Sequence, residues 1–130
     1  MKPFNVLLVD DEEEFVKALA ERLELRRIPC RMAFNGEAAL RMVDDLPPAV
    51  MVLDLRMPGI DGMEVLRRVK RTHPDVQVIV LTGHGSEKDE DTARRLGASE
   101  YLQKPVDIRV LVNAIQQARE SRVAGGWKIL

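Results

Sequence analysis

Five side chains able to do chemistry follow four short apolar runs. Asp10 and Asp11 come after "VLLV" (6–9), Asp54 after "VMVL" (50–53), Thr82 (with Gly83) after "VIVL" (78–81), and Lys104-Pro105 after "YL" (101–102). Asp10 heads a run of five acids in "VLLVDDEEEF". Two carboxylates about 4 Å apart repel by about 4 kcal/mol at an effective dielectric near 20, so this crowding needs compensation. Asp10 to Glu14 also open a helix, where acids suit the positive end of the dipole. Five acids exceed what a helix start requires, and a divalent cation offsets the remainder.

Asp10, Asp11 and Asp54 have no Cys or His among them. Such a hard, oxygen-only donor set suits Mg²⁺ more than zinc. A metal that keeps some of its waters leaves room for a phosphate oxygen, and a carboxylate can act as nucleophile toward phosphorus, giving an aspartyl phosphate. Asp54 is the best nucleophile, since it stands alone after a central strand. The metal and Lys104 neutralise the equatorial oxygens, and Thr82 hydrogen-bonds one of them. Pro105, directly after Lys104, suits a fixed backbone, cis or trans, that aims the amine inward.

The elements that must position these groups are legible in outline. Continuous apolar runs indicate strands covered on both faces, as in a parallel sheet, and "RMAF" (31–34) is a weaker fifth strand. Helical spacing follows: Phe15, Leu19 and Leu23 with Ala18 alongside, then Leu66 and Val69 after Asp61-Gly62, then Ile108, Leu111, Val112, Ile115 and Ala118. Asp107 is the expected N-cap of the last helix. Gly36, Pro47-Pro48, His73-Pro74, Gly83 and Gly97 punctuate the segments. This alternation predicts an α/β, doubly wound (βα)5 sheet with right-handed crossovers. Ligands in such sheets sit beyond the carboxyl ends of the strands, and the five side chains converge there. The last helix is expected to break at Gly125-Gly126, leaving 123–130 as a tail or linker stub.

Bulk composition narrows the classes. The 130 residues make one domain with a real core, with 45% apolar and 32% charged residues. A net charge of -1 exerts no global pull on nucleic acid or anionic membrane, so neither is an expected partner. The basic cluster "RRVKR" (Arg67 to Arg71) reads as a solvated helix face. Cys30 is the lone cysteine, which excludes an internal disulfide or thiolate metal site and suits an inert buried thiol. Lys2 precedes an apolar run of only four residues, too short for a signal segment, and no stretch approaches a membrane span. The expected location is the cytoplasm.

Together, Asp10-Asp11, Asp54 in "DLRMPG", Thr82 in "LTGHG", Tyr101 and Lys104-Pro105 resemble the receiver domain of two-component response regulators, in order and spacing, from about Phe4 to Arg122. The resemblance implies a flavodoxin-like fold with strand order 2-1-3-4-5 and a receiver domain over 1–122. It implies Asp54 as the phosphoacceptor and Lys104 as the phosphate-binding lysine, with a cis bond to Pro105. Mg²⁺, with Mn²⁺ able to substitute, would be held directly by Asp11, Asp54 and the Arg56 backbone carbonyl, and by Asp10 mostly through water. Thr82 and Tyr101 would form a switch pair, the ring swinging into space that the Thr82 hydroxyl vacates. Arg56 and His84, two residues beyond Asp54 and Thr82, would tune autodephosphorylation.

The implied partners are a sensor histidine kinase or phosphotransfer protein and a downstream output domain or partner protein. A homodimer through helix 4, strand 5 and helix 5 is a further implied contact. "LTGHG" is similar to receivers that precede transcriptional output modules, and the chain reads as a stand-alone receiver or an excised domain. Such a domain is a signalling phosphoacceptor, not an enzyme, catalysing only its own phosphoryl transfer and autodephosphorylation. The nearest alternative is an unphosphorylated receiver-like interaction domain, though such domains usually lack an acid or the lysine. A haloacid-dehalogenase-type phosphatase would need a second Asp two residues after the first, which "DLRMP" lacks. A flavin- or nucleotide-binding module would need a phosphate loop where "DDEEE" repels one.

Overall fold

Apolar runs without alternation must be covered on both sides, and three of them form the centre of the sheet. The computed structural model describes the backbone of residues 5–129 and the side chains of residues 5–121. Lys2 and Phe4, at which the leader and resemblance readings begin, lie outside the described residues. β1 (Val6–Val9) and β3 (Val50–Leu53) are buried throughout, and β4 (Gln77–Thr82) from its second residue. β2 (Cys30–Ala33) and β5 (Glu100–Gln103) are partly exposed and lie at the edges. All pairings are parallel and the order is β2-β1-β3-β4-β5, as the resemblance implied.

Strand alternation divides the core in two. Val6, Leu8, Val50, Val52, Ile79 and Leu81 face α1 (Glu13–Glu24) and α5 (Ile108–Ile129). Leu7, Val9, Met51, Leu53, Val78 and Val80 face α2 (Gly36–Asp45), α3 (Gly62–Thr72) and α4 (Glu87–Arg95). Both faces are therefore covered, as a doubly wound sheet requires.

Several local expectations shift. The buried stripe of α1 is Val16, Leu19, Ala20 and Leu23, while Ala18 is exposed and Phe15 is only half-buried. Gly36 lies within the first turn of α2, where Asn35 caps by accepting from Ala38 N–H at 2.8 Å. α4 buries only Ala93 and is closed by a Ser86–Asp89 capping box, so polar capping specifies it more than an apolar stripe does. Asp107 caps α5 as expected, its carboxylate accepting from Arg109 N–H at 2.8 Å. α5 continues through Gly125-Gly126 to Ile129, contrary to the expected break. Each Gly costs a helix only about 1 kcal/mol relative to Ala, which does not force an end. Among the described residues no helix is long and apolar enough to cross a membrane.

Candidate functional site

The site is fixed by backbone rungs that continue past the strands. Asp10 N–H donates to Ala33 C=O at 3.2 Å, Asp54 N–H to Val9 C=O at 3.0 Å, and Lys104 N–H to Thr82 C=O at 3.0 Å. The ends of β1, β3, β4 and β5 are thus held in register at one edge. On the other side of Asp54, α3 begins without a side chain. A Cβ at Gly62 would lie 2.1 Å from the Asp54 carbonyl oxygen and 2.6 Å from Leu55 Cα, so only glycine lets the helix start there. Asp61 caps this helix, accepting from Glu64 N–H at 3.0 Å.

Asp10, Asp11 and Asp54 each present a carboxylate oxygen, and the three lie within 4.8 Å of one another. Asp10 and Asp54 are buried and Asp11 is exposed. Asp54 Oδ1 is buried with no hydrogen-bond partner among the described residues. An orphaned anionic oxygen beside two further carboxylates fits a divalent cation.

Burial raises the Asp54 carboxyl above the ordinary carboxylate range, and the Asp10 charge adds to this. The Thr82 hydroxyl, the Lys104 ammonium and the Arg56 amide offset part of the rise. Lys104 Nζ donates to Asp10 Oδ2 at 2.6 Å and to Glu12 Oε1 at 3.2 Å, and lies 4.4 Å from the centre of the Phe15 ring. Burial alone lowers its pKa, but the Asp10 bond, the charges of Asp10 and Asp54 and the Glu12 bond turn the net shift upward, so the amine is held protonated. The Lys104–Pro105 peptide bond is cis.

Asp10, Asp11, Asp54, Thr82 and Lys104 therefore come together as the strand ends suggested. Thr82 is fully buried, and its hydroxyl accepts a long 3.4 Å bond from His84 N–H. Arg56 and His84 are exposed, and the Arg56 guanidinium pairs with Asp89 at 3.7 Å. The Tyr101 ring, expected to swing inward, is already buried against the α3–α4 side of the core. Glu12 and Phe15 were missed as partners of Lys104. They are 92 and 89 residues away in sequence, and only the fold reveals the contact.

Comparison with known proteins agrees with this geometry. The sequence profile of the response regulator receiver domain matches residues 6–116. The chain is 36% identical over 124 residues to the transcriptional regulatory protein FixJ of Rhizobium meliloti, covering 95% of this chain but 61% of FixJ. A crystal structure of the FixJ N-terminal part superposes with a TM-score of 0.83 at 36% identity, covering 92% of this chain and 96% of that one. A response regulator from Burkholderia pseudomallei, solved with a phosphorylated aspartic acid, a calcium ion and citrate, superposes with a TM-score of 0.83 at 29% identity, covering 97% of this chain and 75% of that one.

Proposed function

The chain belongs to the response regulator receiver domain family of two-component signalling proteins, and from that membership we propose that Asp54 accepts a phosphoryl group from a sensor histidine kinase, a phosphotransfer protein or a small phosphodonor. An Asp54 oxygen attacks the phosphorus, the P–N bond of the phosphoimidazole breaks, and the imidazole leaves and takes up a proton. The orphaned, buried Asp54 Oδ1 carries this reading. It is a carboxylate oxygen at the ligand-binding edge of the sheet that no described residue hydrogen-bonds.

Lys104 sits 2.6 Å from Asp10 at the same edge and can turn its ammonium toward the phosphoryl oxygens. The Thr82 hydroxyl, buried beside Asp54, donates to one of them. Asp11, Asp54 and the Arg56 carbonyl, backed by Asp10, are the groups to hold Mg²⁺ or Mn²⁺. When bound, the ion supplies positive charge against the oxygens of the transferring group. The phosphorylated aspartic acid and calcium ion of the Burkholderia pseudomallei neighbour support the same roles here.

Arg56 and His84, both exposed and two residues beyond Asp54 and Thr82, tune hydrolysis of the phosphoryl group by shaping access of water. Phosphorylation is read on α4, β5 and α5 by an output domain, a partner protein or a second copy of the chain. The chain is then a cytoplasmic switch whose only chemistry is on itself, its output set by the remainder of a longer regulator or by a separate protein. Incubation with acetyl phosphate and Mg²⁺, followed by intact mass, tests the transfer. One phosphoryl group should be gained by the native chain and none by Asp54→Asn or in excess chelator. Equal uptake by Asp54→Asn would refute the assignment.

A further inference from the structure

Tyr101 is the chain's single tyrosine, and its ring is buried at 7% exposure although β5 is an edge strand. Its hydroxyl is buried with no hydrogen-bond partner among the described residues, an unfavourable state for a phenol. The room it occupies exists because residue 85 has no side chain. A Cβ at Gly85 would lie 1.5 Å from Tyr101 Oη, 2.7 Å from Tyr101 Cζ and 3.0 Å from Thr82 Cγ2. Gly85 does not occupy the left-handed backbone region, unlike Gly59 and Gly97, so backbone conformation does not require glycine here. Nor does backbone crowding, which is what excludes a side chain at Gly62. The two nearest atoms that Gly85 spares belong to one movable ring, and the third is the Thr82 methyl.

We propose that Gly85 positions the Tyr101 switch: its missing side chain forms the slot that admits the ring, with the Thr82 methyl as the adjoining wall. The proposal rests on the receiver reading of Asp54 and Thr82 and adds the residue that sets where the ring sits. Two opposing terms keep the slot reversible. The apolar ring gains by burial, while the unpaired hydroxyl gains by returning to water. Thr82 joins the slot to the site, since its hydroxyl faces Asp54 and its methyl faces the space beside Gly85. A shift of Thr82 toward a phosphoryl oxygen widens the slot and favours the inward ring. A side chain at 85 closes it and favours the outward ring in every state of Asp54.

A single tyrosine makes the test direct. The chain labelled with 3-fluorotyrosine gives one protein ¹⁹F signal, and beryllofluoride with Mg²⁺ adds separate signals if it binds at Asp54. The native signal should be shielded from solvent, with little change between H₂O and D₂O. In Gly85→Ala it should move toward that of free fluorotyrosine and gain the full solvent isotope shift, with bound beryllofluoride still visible. An unchanged tyrosine signal in Gly85→Ala overturns the proposal. Absence of bound beryllofluoride from the native chain counts instead against the phosphoacceptor reading. Denaturation of the four chains combining Gly85→Ala with Tyr101→Ala provides the second readout. The Gly85→Ala penalty should largely vanish once the ring is gone, even if Gly85→Ala alone fails to fold, and an equal penalty in both backgrounds overturns the proposal.

Discussion

Lys104 Nζ lies 2.6 Å from Asp10 Oδ2, joining the end of the last strand to the end of the first across 94 residues of sequence. The Asp10 side chain is 5% exposed and that of Lys104 16%, so the pair is largely withdrawn from water. Removing one partner leaves the other charge buried beside like charges. Lys104→Met should destabilise the metal-free chain by about 3 kcal/mol, because breaking a buried pair strands its partner. Urea unfolding with and without Mg²⁺ checks this. Added Mg²⁺ should recover part of the loss, and a variant as stable as the native chain would show that Asp10 needs no counter-charge.

Asp54 should show the opposite sign. Burial raises its folded pKa above the ordinary value, so the stability this carboxyl contributes is present below the unfolded pKa and lost as pH rises through the folded one. At neutral pH the ionised group is a cost to the metal-free fold. Asp54→Asn should therefore raise the urea midpoint at pH 7, and the advantage should shrink on acidification. Mg²⁺ should stabilise the native chain more than the variant, since binding to the folded state adds stability by mass action. A variant less stable than the native chain at pH 7 would contradict the sign.

Gly62→Ala tests the backbone support beneath the nucleophile. Its Cβ would meet the Asp54 carbonyl oxygen at 2.1 Å and Leu55 Cα at 2.6 Å, and neither can swing aside. The expected cost is about 3 kcal/mol, at the upper end for overpacking, with a loss of Mg²⁺ affinity as Asp54 is displaced. Calorimetry and Mg²⁺ titration measure the two effects. A substitution that lowers stability and leaves Mg²⁺ binding unchanged would mean that Gly62 does not position Asp54.

Thr82→Ala should separate binding from read-out. Mg²⁺ with beryllofluoride is expected to shift backbone amide signals in the native chain from Ser86 through α4, β5 and the described part of α5. In Thr82→Ala the loops around Asp54 should still respond, while the remote shifts fall away. Remote shifts that persist in full would remove Thr82 from the relay.

The strands and their terminal residues were legible because both signals are local. An unbroken apolar run marks a strand buried on two faces, and the residue after it lands at the ligand-binding edge. Asp54, Thr82 and Lys104 could be found that way. The clasp of Glu12 and Phe15 on Lys104 could not, because helical spacing assigned Phe15 to the stripe of α1 and nothing in "DDEEE" distinguishes Glu12 from its neighbours. α4 was the least visible helix by apolar pattern, since it buries only Ala93, yet "SEKD" carries the spacing of its capping box. That the Tyr101 ring already sits inward was hidden for a different reason. Its position depends on a vacancy at Gly85, and in sequence a glycine in a turn looks the same whether it serves the backbone or a distant ring.

Chemical trapping identifies the phosphorylated carboxylate. Borohydride reduces an aspartyl phosphate to homoserine, so treating the chain after acetyl phosphate and Mg²⁺ and then mapping its peptides shows which carboxylate was phosphorylated. Conversion at Asp54 alone, lost without Mg²⁺ and diminished in Lys104→Met, is the expected result. Conversion at Asp10, Asp11 or Glu12 with Asp54 untouched would contradict it.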